Sequence, residues 1–476
     1  MKRILFFATL LFFWSCSNNA EISSTAAPIT YNPKDFTVKG KVNNIQSKKV
    51  FLYNFYGHKS NCIDSVEVEQ GGSFTFKIKK ETPPGLYRII MGKTLRSQFM
   101  GGGDQYVDLI FKYEDINFET HFEFPFDSMK VTTSEENRNY YAYLLETDAI
   151  KTKLDILLYC LQYYPRTDKF FKVVAKQYNE VYEDYEEYIE KVIKTNKGTL
   201  LAKMAAFEKL PYVDPLLGKD KRNEILKKEY FTKEDFTDTL LLHTDLIPTK
   251  VIRYLSFYKN EKIAPEAQEA EFIKAVDIIL KHAGASENIY NNVLDYLIEG
   301  FEKFDMEMTL LHIYDNYVAG GSCLDDKKAQ SLKDKTDAIK KLGKGQPAPD
   351  FTFTDNQNKT HKLYDFQSQY TLVIFWASWC NHCQKVIPEV KTLYDNTDRN
   401  KLEVIAISLD KEEKPWKDYV EQNKLTWYNY SNLKGWDCPI GRSYYVYATP
   451  TMFLLDKDKK IVAKPFNVRD LRMSLQ

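Results

Sequence analysis

Thr371-Leu372-Val373-Ile374-Phe375-Trp376-Ala377-Ser378-Trp379-Cys380-Asn381-His382-Cys383 is the stretch whose reading decides the fold of the C-terminal part of this chain. Its first six residues form an apolar run suited to a buried parallel strand. A short loop and a Cys-x-x-Cys motif follow at once, and strand, loop, Cys-x-x-Cys, helix is a redox arrangement. Cys380 falls at the first turn of the helix, where free N–H groups and the positive end of the dipole stabilise a thiolate. Cys383, three residues on, lies on the same helix face. The two sulfurs can therefore close a disulfide with little backbone movement, with only the first open to a substrate.

Two other readings compete. Half of a zinc site needs a second Cys-x-x-Cys or a His pair. The seven histidines stand at 58, 121, 243, 282, 312, 361 and 382, with no His-x-x-x-His among them, so no metal is expected. A structural disulfide without activity is the other alternative.

The wider context is more specific. Phe375 to Cys380, Pro388 eight residues after Cys380, a strand from Val404 to Asp410, and Ala448-Thr449-Pro450-Thr451 ahead of a strand from Met452 to Leu455 closely resemble the thioredoxin superfamily. The best match is its membrane-anchored extracytoplasmic branch, the TlpA/ResA-like disulfide reductases. The resemblance covers about residues 345 to 476. It implies that Cys380 and Cys383 are the redox couple and that Trp379, Asn381 and His382 tune it. It also implies that Pro450 is a cis-proline beside the site, which costs only about 0.5–1 kcal/mol for a tertiary amide. The backbone of Thr449 would then pair with an extended substrate. Disulfide-containing or thiol proteins are the expected partners, with an upstream electron donor and no cofactor.

Two departures from the pattern stand out. Thioredoxins keep a buried acid two residues before the Trp and a Lys on the next strand, where this chain has Ile374 and Ala406. TlpA/ResA-like proteins often carry a Glu three residues after the second Cys, where this chain has Val386. No carboxylate is thereby placed to take the proton of Cys383, and Glu389 reads as a surface residue.

Working outward, Gly343 to Pro349 holds turn formers and two prolines that cannot continue a helix, so a boundary is set there. From Thr133, at capping-box spacing to Glu136, helical patterns run to about Leu342. The clearest places Phe171, Val174, Tyr178, Val181, Tyr185, Tyr188 and Val192 at steps of three and four, with Gly198 as a stop. Such a stripe is either internal core or, over three heptads, the seam of a homo-oligomer. Between about Lys34 and Met129, period-two runs such as Phe74, Phe76 and Ile78 alternate with turns at Gln70 to Ser73 and Pro83 to Gly85, as in a β-sandwich. Gly101-Gly102-Gly103 lacks the Lys-Ser/Thr pair and helix of a phosphate loop and reads as a turn. This β segment resembles the domain that often precedes thioredoxin-like modules in bacterial lipoproteins.

At the N-terminus, Lys2 and Arg3 precede eleven uncharged residues, Ile4 to Trp14, then Ser15-Cys16. At ~1.5 Å per residue they cover roughly half a bilayer core, a signal peptide rather than a span. The pattern resembles a bacterial lipoprotein signal, with Cys16 the lipidated first residue, although Phe13 and Trp14 are bulkier than usual. A Gram-negative cell envelope, lipid-anchored and facing the periplasm, is the implied location. The expected organisation is a signal peptide over 1–15, a tether over 16–33, an all-β sandwich over 34–132, an all-α domain over 133–342 and an α/β thioredoxin fold over 343–476.

Composition excludes much else. Lys plus Arg number 66 and Asp plus Glu 66, a balance that argues against a nucleic-acid partner. The remaining cysteines, Cys62, Cys160, Cys323 and Cys438, could pair in three ways in an oxidising compartment, but the first three read more simply as buried free thiols. Cys438 precedes the Pro450 strand and is a candidate neighbour of the site. The leading expectation is a membrane-tethered thiol-disulfide oxidoreductase, most simply a reductase. A redox-inert thioredoxin-fold scaffold is the alternative. Gly345 to Phe351 also resembles peroxiredoxin-related domains, but their Pro-x-x-x-Thr-x-x-Cys site is absent.

Overall fold

The computed structural model describes residues 35–304, 306–320, 326–355 and 358–475. The signal peptide, Cys16, the tether up to 34 and Cys323 lie outside the described residues. Among the described residues no helix is long and apolar enough to cross a membrane. Contacts divide the chain into two compact units, Met1–Thr309 and Leu310–Gln476.

The N-terminal unit begins with strands β1 (Phe36–Asn43), β2 (Lys49–Tyr56), β3 (Lys59–Glu67), β4 (Ser73–Ile78), β5 (Gly85–Gly92), β6 (Gln105–Phe111), β7 (Ile116–His121) and β8 (Lys130–Val131). They form two four-stranded sheets, ordered β4-β1-β7-β8 and β3-β2-β5-β6. Alternation makes this possible: β1, Phe-Thr-Val-Lys-Gly-Lys-Val-Asn, buries every second residue. Phe36 of the first sheet meets Phe111 of the second edge-on, ring centres 5.7 Å apart. Gly71 and Gly72 both adopt positive φ in the β3–β4 turn, and a Cβ on Gly72 would stand 2.2 Å from the Val42 carbonyl oxygen. The three-glycine run follows a short helix, α1 (Leu95–Met100), with Gly101 as its left-handed cap.

The helical part holds α2 (Glu135–Tyr163), α3 (Lys169–Thr195), α4 (Leu200–Phe207), α5 (Lys219–Glu229), α6 (Leu246–Ser256), α7 (Pro265–Ala283) and α8 (Glu287–Lys303). The cap of α2 is Ser134, which accepts the Asn137 N–H. The Thr133 hydroxyl is instead bonded to the Asn117 N–H and the Asp115 carbonyl, so the start lies one residue later than the capping-box spacing indicates. α3 ends at Asn196, before the glycine at 198. α2 and α3 form an antiparallel hairpin, tied near its base by Asn139 to Asn196 and by Tyr188 to the Ala142 carbonyl.

The stripe on α3 is largely internal core. Phe171, Val174, Val181, Tyr185 and Val192 are buried, together with Tyr182 and Ile189, while Tyr178 and Tyr188 are only half-buried. A 3.6-residue helix drifts by about 20° per heptad against a strict seven-residue repeat, so by the third heptad Ile189 has taken the buried place of Tyr188. Further in, Arg88 of β5 makes a bidentate pair with Asp108 of β6, both contacts at 2.7 Å, and reaches Asp245 at 3.1 Å. Burial works against the guanidinium charge, but Asp108 outweighs it and holds Arg88 firmly protonated.

The division between the units falls within α9 (Glu307–Ile313). The C-terminal unit continues with α10 (Asp326–Leu342), β9 (Thr352–Thr354), β10 (Thr360–Lys362), β11 (Tyr370–Trp376), α11 (Cys383–Asp395), β12 (Leu402–Ser408), α12 (Glu413–Gln422), β13 (Tyr428–Ser431), α13 (Pro439–Ser443), β14 (Thr451–Asp456), β15 (Ile461–Ala463) and α14 (Val468–Ser474). The five-stranded sheet runs β13-β12-β11-β14-β15. β11 pairs parallel with β12 and antiparallel with β14. Both its faces are covered: Leu372, Ile374 and Trp376 enter one core, Val373 and Phe375 the other. Ile374 and Ala406 stand opposite each other in register and are fully buried, so an apolar pair fills the place of the acid and lysine. The whole is a β region, a helical region and a thioredoxin-like α/β unit.

Candidate active site

The turn that follows β11 brings Cys380 to the N-terminus of α11. The helix proper starts at Cys383, three residues later than a first-turn placement of Cys380 requires. The Cys380 sulfur still receives the helix's positive end, because it accepts the Cys383 N–H at 3.1 Å. Its carbonyl accepts the Gln384 N–H at 3.0 Å. The turn is fixed from below by Asp410, 2% exposed, whose carboxylate accepts the Ser378 N–H at 3.0 Å and the Ser378 hydroxyl at 2.6 Å. Ser408 donates to the same carboxylate at 2.6 Å.

Opposite stands the Thr449-Pro450 peptide, which is cis. The Cys380 thiol donates to the Thr449 carbonyl at 3.3 Å. Cys380 is 8% exposed and Cys383 fully buried, so both residues of the couple are buried and the first is only slightly the more accessible, less open than the spacing implies.

The two thiols also differ in acidity. Burial alone would raise Cys380, and its S–H···O=C contact favours the neutral thiol. Hydrogen bonds from Cys383, foremost among the influences that lower it, help bring it below the ordinary thiol value. Burial and the bond to Cys380 push Cys383 up to about 12. Both sulfurs sit in an apolar cluster with Trp376, Val386 and Ile387.

Trp379 is 54% exposed, and its ring meets Trp436 edge-on at 6.3 Å. Asn381 and His382 are exposed, and the His382 ring lies 6.5 Å from Phe466. The His382 backbone adds a small contribution to the lowered pKa of Cys380, behind that of Cys383. Glu389 faces solvent and Val386 is buried. Cys438 is buried in the core on the other face of the sheet, apart from the couple.

The AhpC/TSA family matches residues 344–464. The thiol-disulfide oxidoreductase ResA of Bacillus thuringiensis is 34% identical over 122 residues, which cover 26% of this chain and 69% of that protein. The chain belongs to the ResA-like thiol-disulfide oxidoreductases. A second relative, the thioredoxin-like protein YneN of Bacillus subtilis, is 30% identical over 24% of this chain and 67% of its own length. Among solved structures, the thioredoxin domain of a thiol-disulfide oxidoreductase from Bacteroides vulgatus is 30% identical over 28% of this chain and 96% of its own, with a TM-score of 0.27. Residues 36–140 match a domain of unknown function, DUF4369.

Within this ResA-like site, sequence reasoning missed Asp410 and Tyr419. An Asp after a strand reads as an ordinary strand end, and only the fold brings it under Ser378. Tyr419 of α12 packs on Trp376, ring centres 5.1 Å apart. Burial raises its phenol, and the charges of Cys383 and Cys380 raise it further. Among the described residues, the donor group with metal-like proximity is His58, Asp295 and Glu299 in the N-terminal unit. There the Lys59 ammonium lies 3.3 and 3.5 Å from the two carboxylates and supplies the cation itself.

Proposed function

We propose that this oxidoreductase is a membrane-tethered, extracytoplasmic disulfide reductase, anchored through lipidated Cys16 in a Gram-negative envelope and facing the periplasm. The observation that carries the chemistry is the contrast between the sulfurs: Cys380, 8% exposed, with a lowered pKa, and Cys383, fully enclosed and pushed up to about 12.

The Cys380 thiolate attacks one sulfur of a substrate disulfide. That S–S bond breaks, a Cys380–substrate bond forms, and the other substrate sulfur leaves as a thiolate that takes a proton from water. Cys383 then gives its proton to water and attacks the Cys380 sulfur. A Cys380–Cys383 disulfide forms, the second substrate thiol is released, and two electrons have passed to the substrate. A thiol donor upstream restores the pair. Thr449, beside cis Pro450, offers its backbone to an extended substrate, while Trp379, Asn381 and His382 border the approach.

The test is a pair of variants and a titration. Cys380→Ala should abolish reduction of insulin-type disulfides, and Cys383→Ala should accumulate mixed disulfides. Equal adduct yields from the two would contradict the assignment. A reductase should titrate near or below the glutathione poise, about −220 mV or lower. A midpoint near that of a dedicated oxidant, about −120 mV, would reverse the direction. Acyl mass on the N-terminal peptide of the membrane fraction tests the anchor, and release of the protein by salt alone excludes it.

A further inference from the structure

The helical hairpin of α2 and α3 carries a feature that thiol chemistry does not use. The two helices, 29 and 27 residues long, extend roughly 40 Å. Near their turn, Leu161, Phe171 and Val174 make a small core of their own. Outside that core stand Ile156, Tyr159, Tyr163, Tyr164, Phe170 and Val173, between 39% and 71% exposed. Ile156, Tyr159 and Tyr163 fall at steps of three and four on α2, so they form one outward face, and Tyr159 touches Tyr163 with ring centres 4.7 Å apart. Exposed single apolar residues are ordinary, whereas six gathered at one tip are not.

Charge is divided along the same hairpin. Residues 150–176, the outer part, hold six basic side chains and two acidic ones. Residues 177–190 hold six acidic side chains and no basic one. Lys176 is paired with Glu180 and Arg166 reaches the Leu216 carbonyl. Lys169 and Lys172 have no ion pair among the described residues.

We infer that the tip of the α2–α3 hairpin docks on an anionic lipid surface. Tyrosines mixed with aliphatic side chains suit the headgroup boundary, where a ring can be half in hydrocarbon and its hydroxyl in water. The surrounding lysines are attracted to anionic headgroups, and the acidic shaft is repelled, so the hairpin meets the surface end-on. This contact is separate from the acyl anchor proposed above.

The full chain carrying Cys16→Ala, which removes the acylation site, is sedimented with vesicles of phosphatidylglycerol and of phosphatidylcholine at low and high salt. Anionic vesicles should bind it at least tenfold more tightly, with the difference lost in high salt. In that background Lys169→Glu with Lys172→Glu should remove the anionic preference, and Tyr163→Ser with Phe170→Ser should weaken binding at least fivefold. Circular dichroism and thiol-disulfide activity report that both variants stay folded. The apolar N-terminus is common to all chains, so the differences belong to the tip. Equal binding by wild type and variants, no binding to anionic vesicles, or self-association that the tip variants abolish in the absence of lipid would each overturn the inference.

Discussion

Ser378 and Asp410 are thirty-two residues apart in sequence and doubly hydrogen-bonded in the fold, the carboxylate accepting both the serine N–H and its hydroxyl. The turn that carries Cys380 is therefore held by the end of the neighbouring strand and not by its own sequence. Asp410→Ala should leave the Ser378 N–H and the Ser408 hydroxyl without their acceptor, at about 1–3 kcal/mol. Denaturant unfolding measures the loss. Disulfide reduction should slow severalfold without vanishing, because the two sulfurs remain.

The acidity of the thiols gives a pH profile. Within the couple, alkylation by iodoacetamide, followed by peptide mass because Cys62 and Cys160 are also free and part-exposed, should take Cys380 first and rise through a midpoint below that of an ordinary thiol, with Cys383 untouched until far higher pH. Cys383 also affects stability. Its folded pKa of about 12 lies above its unfolded value, so above pH ~8.5 the unfolded chain releases a proton that the folded chain retains. Stability should fall as pH rises through that window, and Cys383→Ala should flatten the fall. Unfolding midpoints between pH 8 and 11 decide it.

His382 separates ring from backbone. Placing a His immediately before the second Cys suggests an imidazole that stabilises the Cys380 thiolate; in the structure the ring lies 6.5 Å from Phe466, and the His382 backbone is the smallest of several influences that lower the Cys380 pKa. His382→Gln, which keeps the N–H, should leave the Cys380 pKa where it is in wild type. His382→Pro, which removes it, should raise that pKa and lower the midpoint potential. Thiolate absorbance against pH distinguishes the two, and a shift in the Gln variant as large as in the Pro variant would restore the imidazole.

Arg88 is the third kind of site. Arg88→Leu leaves Asp108 buried without its partner and should cost about 3–5 kcal/mol. Arg88→Leu with Asp108→Leu should recover much of that loss, since the penalty belongs to the stranded carboxylate. Urea titration of the three variants measures both steps, and the two-residue variant being less stable than Arg88→Leu would contradict the account.

How much of this was legible depended on whether the signal was local. The strand before Cys380, the couple itself and the cis Thr449-Pro450 peptide are written in contiguous residues whose chemistry admits few alternatives. The apolar exchange at Ile374 and Ala406 was legible as two substitutions, but their standing opposite each other in register was not, because pairing belongs to the sheet. Asp410 was hidden for the same reason. The start of α2 shifted by one residue because Thr133 is engaged with β7 and the turn before it, a long-range competitor that spacing does not reveal. The aromatic tip was hidden differently: Ile156, Tyr159 and Tyr163 have the spacing of a core face, and only the fold shows them exposed among the described residues.

The small exposure of Cys380 has a consequence for what can react with it. A displacement at sulfur requires nucleophile, central sulfur and leaving sulfur to lie close to a line. With the nucleophile nearly level with its surroundings, that line must run outward, so the incoming S–S bond has to stand on end above the turn. A bridge clamped between two strands of a folded domain cannot rotate to do so, whereas one in a loose segment can. Selection at this sulfur thus acts on the mobility of the partner's bridge before it acts on the residues around it.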